Sequence, residues 1–155
     1  TEEYDGTSWT AGNNMPTDNY GTAGAGVQTA AVFTSSQLNP KSVVYIYDGT
    51  NWTTSPNAST GGSGKTFAGT QTAGLIVGGD PVPSYGIHSE KWDGTSFTTS
   101  ANLAGGRGGH SASANTQAAN FVCGGSNPNP GALSTLEEFS LGTTTVNAAK
   151  SIDFD

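Results

Sequence analysis

Ser59-Thr60-Gly61-Gly62-Ser63-Gly64-Lys65-Thr66 ends in the Gly-Lys-Thr of a nucleotide-binding loop. In such a loop backbone N–H groups surround the phosphates and the lysine supplies the opposing charge. That chemistry requires a buried strand before the loop and a helix N-terminus after it. Here the position that should be the first glycine is Ser59, and Lys65 runs into a strand pattern rather than a helical one. The stretch is therefore read as a connector. His88 and His110 are the other residues with catalytic side chains, but a general base needs an orienting partner and a nucleophile, and no Ser-His-Asp set accompanies either. Cys123 is the single cysteine, which rules out an intrachain disulfide or a cysteine-built zinc site, and its apolar setting reads as a small core residue. Asp153 and Asp155 lack the loop pattern of a calcium site, so no metal, cofactor or catalytic residue is assigned.

Composition narrows the remaining classes. Charged residues are only 11 % of the chain, and Lys41, Lys65, Lys91, Arg107 and Lys150 are all its cations against a net charge of −7. Without a basic stripe to neutralise phosphates, nucleic acid is excluded as a partner. No apolar run reaches membrane-spanning length, so membrane insertion is not expected. The opening Thr1 points to processing or truncation. Scarce helix formers and 23 glycines exclude long helices, while regularly spaced aromatic and β-branched clusters argue for β-structure over disorder.

Those clusters repeat. Glu3-Tyr4-Asp5-Gly6-Thr7-Ser8-Trp9-Thr10 returns as Ile46-Tyr47-Asp48-Gly49-Thr50-Asn51-Trp52-Thr53 and as Lys91-Trp92-Asp93-Gly94-Thr95-Ser96-Phe97-Thr98. A fourth, worn copy starts at Phe139, where Ser140-Leu141-Gly142-Thr143 replaces Asp-Gly-Thr. Between these copies lies a second element, a glutamine turn followed by a short apolar strand: Gln28 before Ala31-Val32-Phe33, Gln71 before Leu75-Ile76-Val77, Gln117 before Phe121-Val122-Cys123. Both elements keep a period near 45 residues, the leading aromatics falling at 4, 47, 92 and 139.

Asp-Gly between aromatic-bearing runs is a tight hairpin signal, and glycines bound the short apolar strands. Each repeat thus contains four short antiparallel strands, a to d, with the glutamine turn joining a to b and Asp-Gly-Thr joining c to d. Stacking such units radially buries both faces, which predicts an all-β fold of β-propeller blades, about three and a half of them in this chain. The expected organisation of residues 1–155 is one domain: a c–d hairpin at 1–12, repeats at 19–55, 63–100 and 107–147, and a C-terminal strand at 150–155. Tyr4, Trp9, Tyr47, Trp52, Trp92, Phe97 and Phe139 are the expected repeat core, packing between blades rather than stacking on sugars.

A strand ending in Gly78-Gly79 or Gly124-Gly125, then a variable loop, then Trp92 or Phe139, resembles the kelch repeat. The Asp-Gly-Thr-x-Trp-Thr style is also similar to kelch-like repeats in bacteriophage fibre and virion structural proteins. The resemblance implies a non-enzymatic structural or adhesive module, on a virion or otherwise extracellular. Its implied partners are other copies of itself, other assembly proteins and a cell-surface glycan. Two alternatives stand beside it: a self-associating filament or surface-layer subunit joined through open blade edges, and a propeller fragment of a secreted carbohydrate-active enzyme. Beginning at strand c leaves an incomplete blade with a sticky edge, which favours continuation or assembly over a lone monomer. The b–c loops vary in length and in Pro and Asn content, and recognition usually resides in such loops. They supply Asp80, Tyr85, His88, Asn127 and Asn129 as candidate binding residues. Asn51 and Asn57 match glycosylation sequons of the kind used by secreted eukaryotic proteins.

Overall fold

The computed structural model describes residues 1–34, 42–80, 86–109, 111–113, 116–127, 131–140 and 151–152, with the backbone alone described at 80, 111–113 and 151–152. Every described element is a β-strand, and the strands form four antiparallel sheets in chain order. The first holds only β1 (Glu2–Tyr4) and β2 (Trp9–Ala11). The second holds β3 (Ala23–Val27), β4 (Ala30–Thr34), β5 (Val44–Tyr47) and β6 (Trp52–Ser55). The third holds β7 (Ser63–Thr70), β8 (Ala73–Asp80), β9 (Ser89–Trp92) and β10 (Phe97–Thr99). The fourth holds β11 (Ser111–Ser113), β12 (Ala119–Cys123), β13 (Leu136–Ser140) and β14 (Ser151–Ile152).

The repeated aromatics sit where the hairpin reading places them. Tyr4 faces Trp9, Tyr47 faces Trp52 and Trp92 faces Phe97 across their strand pairs, with ring centroids 5.1, 4.7 and 4.6 Å apart. The turn between them is wider than a two-residue hairpin. Asp5 N–H bonds the Ser8 carbonyl, and the same pattern recurs from Asp48 to Asn51 and from Asp93 to Ser96. Each aspartate also accepts the backbone N–H groups two and three residues ahead at 2.7–2.8 Å. These bonds, with the Thr95 hydroxyl the largest influence at Asp93, hold all three carboxyls below the usual carboxylate range. The turn contribution is thus present above about pH 3.9 and fades as the pH falls through the depressed values. Gly6, Gly49 and Gly94 follow with φ between +91° and +99°, a conformation other residues adopt only under strain.

The fourth repeat lacks that aspartate, and its last strand differs from expectation. Residues 143–147, expected to carry strand d, lie outside the described residues. Ser151–Ile152, within the strand expected at 150–155, is a strand and pairs with β13 through Leu136↔Ile152 and Glu137↔Ser151.

Alternation along β8 shows how the sheets share a core. Ile76 points into a cluster with Val32, Val44, Phe67 and Trp92, joining the second and third sheets. Leu75 and Val77, on the opposite face, join Val122 in a cluster bordered by Leu103 of the connector after β10 and by Phe139 of the fourth sheet. Trp92 and Phe97 therefore pack toward the preceding sheet, as expected of repeat-core residues. The first strands of the three larger sheets also meet, β7 touching both β3 and β11.

Glutamine ties each sheet to the one before it. Gln71 Nε2 donates to the carbonyls of Ala31 (3.3 Å) and Tyr47 (2.7 Å), and Gln117 Nε2 to those of Gly74 (2.9 Å) and Trp92 (2.8 Å). In both cases one amide bridges strands b and c of its neighbour. The a–b hairpins also share a packing rule. Phe33 on β4 lies across Gly24 on β3, and Phe67 on β7 lies across Gly74 on β8, where an added Cβ would come within 2.4 Å and 2.2 Å of the ring. Gly74→Ala is accordingly expected to destabilise the chain by ~1–3 kcal/mol through overpacking, and to cost much less in a Phe67→Ala background. Equal loss of melting temperature in both backgrounds would refute the ring contact.

Candidate binding surfaces

The variable-loop side carries the residues proposed from sequence, and the structure brings few of them together. Tyr85 and Asn129 lie outside the described residues, as does His110, and for Asp80 only its place at the end of β8 is described. His88 is exposed, and its carbonyl accepts Gly78 N–H at 2.8 Å. Asn127 is half-buried and turned into its own loop, its Oδ1 accepting Gly131 N–H at 3.4 Å and its N–H donating to the Gly131 carbonyl at 2.8 Å. A cavity of about 200 Å³ is lined by His88 together with Thr60, Gly61, Lys65, Gly78 and Gly86.

Of the Gly-Lys-Thr stretch only Lys65 lines that cavity, and the local geometry disposes of a phosphate cradle. Lys65 and Thr66 are strand residues of β7, paired with Gly78 and Val77, and no helix follows. The Lys65 ammonium, 8 % exposed, turns back onto the Thr60 carbonyl and reaches Thr60 Oγ1 at 3.3 Å. Burial pushes its pKa down and the nearby Glu90 carboxylate opposes that shift. Lys65 thus pins the connector to the strand it precedes.

Sequence reasoning missed the buried acidic positions on this side. Glu90 and Glu137 each stand two residues before the leading aromatic of their repeats, and each accepts N–H groups from the connector entering its sheet. Glu90 Oε1 takes Ser59 N–H at 3.1 Å and the Ser59 hydroxyl. Glu137 takes Ala104 N–H at 2.7 Å and Gly105 N–H at 3.4 Å. Glu137 also pairs with Arg107 at 2.6 Å, both side chains being at least 96 % buried. The guanidinium donates further to the Gly124 and Thr135 carbonyls at 3.1 Å. The shared Glu-x-aromatic spacing was the available signal.

The first sheet presents a different surface, a groove of about 450 Å³ between β1 and the near face of the second sheet. Its walls include Glu3, Gly24, Val27, Gln28, Phe33 and Tyr47. Glu3, in its wall, accepts from Tyr47 Oη and, at 3.2 Å, from Gln28 Nε2. That bond, with burial and the Glu3 and Asp48 charges adding to it, pushes the Tyr47 phenol up to about 12. Tyr4 and Trp9 are 48 % and 67 % exposed, whereas their repeat counterparts Tyr47 and Trp92, aligned with Tyr4, are 4 % and 0 % exposed. Trp9 therefore does not behave as a buried repeat-core residue, because the strands that would cover it are not in its sheet.

Arg107→Met is expected to cost about 3 kcal/mol or more, since it leaves the Glu137 carboxylate buried without its cation. Arg107→Met with Glu137→Leu should recover part of the loss in denaturant unfolding; a double variant as unstable as the sum of both single variants would contradict this pairing. A raised tyrosine pKa contributes stability below the ordinary value near 10, lost as the pH climbs through about 12. Glu3→Gln should therefore move the highest-titrating phenolate absorbance toward ~10, and an unchanged titration would overturn the Glu3–Tyr47 assignment.

No protein-family model matches the sequence, and no curated protein matches it. Among solved structures the chain is similar to one titled "Structure of YjhT", with a TM-score of 0.74 and 15 % identity. The match covers 94 % of this chain and 49 % of that one, so the chain spans about half the length of that structure. Identity this low speaks to fold alone, and the shared fold is an all-β arrangement of antiparallel sheets.

Proposed function

We propose that the chain is a kelch-like β-propeller arc serving as a non-enzymatic structural and adhesive module of an extracellular assembly. The observation that carries the reading is the way the sheets meet. Inner strand β7 lies against both β3 and β11, and the aromatic faces of the third and fourth sheets pack on the sheet before them, as blades do around an axis. This arrangement puts the uniform Asp-Gly-Thr and glutamine turns on one side and the connectors of differing length on the other. A rigid scaffold with one variable side suits recognition better than turnover. The style of the repeats favours a phage fibre or other virion appendage as the setting, with a host-surface glycan or protein as ligand.

A second reading, a filament or surface-layer subunit joined through sheet edges, is favoured by the groove beside β1. Immunogold labelling with an antibody to the chain separates the settings, since labelled virions or cell-free filaments are expected and label confined to the cell interior would refute both. Glycan-array binding should vanish when 35–41, 81–88 and 127–131 are replaced together by Gly-Ser linkers. Binding that persists in that variant would refute the recognition side.

A further inference from the structure

One side chain in the core between the third and fourth sheets lacks the hydrogen bonds that its burial demands. Val122 of β12 packs there on Leu75 and Val77 of β8, with Leu103 and Phe139 at the border. Asn120 shares a strand face with Val122, so alternation turns its side chain toward the same seam. It is 6 % exposed, and neither Nδ2 nor Oδ1 finds a partner among the described residues. The repeat does not require an amide at this place. Three residues after the turn glutamine, paired with the leading aromatic of strand c, stand Ala31 in the second sheet and Gly74 in the third. In the third sheet the Phe67 ring lies over that position, whereas Asn120 holds it in the fourth, paired with Phe139.

Asn120 lines a cavity of about 30 Å³ between the two sheets. Leu75, Val77, Leu103 and Phe139 form its apolar wall, and Ser89 and Glu137 add polar atoms from either side of the seam. The Ser89 hydroxyl donates to the Ala101 carbonyl at 2.6 Å, which leaves its oxygen able to accept. Glu137 Oε2 takes the Ala104 N–H and keeps a second lone pair. Size decides what fits. A water requires about 10–15 Å³ of such space and two to four polar partners, so there is room for about two waters and none for a sugar ring.

We propose that this cavity is an internal hydration site, whose ligands are about two ordered water molecules linking Asn120 to Ser89 and Glu137. Asn120 Nδ2 donates to one water and Oδ1 accepts from the pair, which in turn donates to Ser89 Oγ and Glu137 Oε2. A carboxamide buried among apolar groups is costly without partners, and the waters supply them. Solvent thus joins the fourth sheet to the third at the position where a ring fills the third sheet itself. The site is apart from the variable loops, so its failure would leave the recognition reading untouched.

In the isotope-labelled full chain, the Asn120 Nδ2 protons are expected to give rotating-frame Overhauser peaks at the water frequency, opposite in sign to chemical exchange. Oxygen-17 relaxation dispersion should count about two fewer long-lived waters in Asn120→Leu than in the unaltered chain. An equal count in the two chains would overturn the proposal. So would the lack of an Overhauser peak in the unaltered chain, a result that does not depend on the variant folding. Xenon under pressure gives the opposite signature: shifts of the Leu75 and Val122 methyls would mark a dry, apolar cavity and would also sink the hydration site.

Discussion

A sheet with apolar side chains on both faces is stable only where a neighbour covers each face. β8 carries that constraint most plainly, its Leu75-Ile76-Val77 run feeding one core on the side of the second sheet and another on the side of the fourth. The rest of the structure follows from meeting it repeatedly. Aromatic pairs across the Asp-Gly-Thr hairpins supply the bulk, and a phenylalanine laid over a glycine closes the gap between the inner and outer strand pairs. The inner strands are driven together at one edge as a consequence.

Polar groups fix the spacing that the apolar contacts leave loose. In the third and fourth sheets one glutamine amide, Gln71 or Gln117, reaches two backbone carbonyls of the preceding sheet and gives those groups a partner at the seam. On the opposite side, Glu90 and Glu137 gather the incoming connectors, and Lys65 and Arg107 secure the same segments. Of the three lysines and arginines among the described residues, Lys65 and Arg107 are thus buried and not available for surface recognition of anions, while Lys91 is half-buried. The same logic gives the first hairpin its character. Among the described residues its sheet has two strands, and Gln28 and Tyr47 of the next sheet reach it through Glu3.

Much of this architecture was legible because the chain repeats. The alignment of Tyr4, Tyr47 and Trp92 placed the first three c–d hairpins, and the glutamine positions located each a–b turn, since identical local sequence meets identical local physics. The side-chain partners were less legible. Nothing local to Arg107 marks it as the counter-ion of a glutamate thirty residues later, and Gly-Lys-Thr reads as a loop motif until β7 is seen to absorb it. Of the loop residues chosen as contacts, His88 is exposed beside a cavity and Asn127 accepts Gly131 N–H within its own loop, while Tyr85 and Asn129 lie outside the described residues.

Sequence by itself determined the strand content, the register of the aromatic pairs and the period, because these depend on side-chain alternation and turn chemistry within a few residues. Only the tertiary structure decided the rest. Which side chains fill the seams and which charges are buried depend on residues 24 to 44 positions apart being brought within hydrogen-bonding distance, as Gln71 is to Tyr47 and Tyr47 to Glu3. Such contacts are set by how whole sheets stack, and no local pattern encodes them.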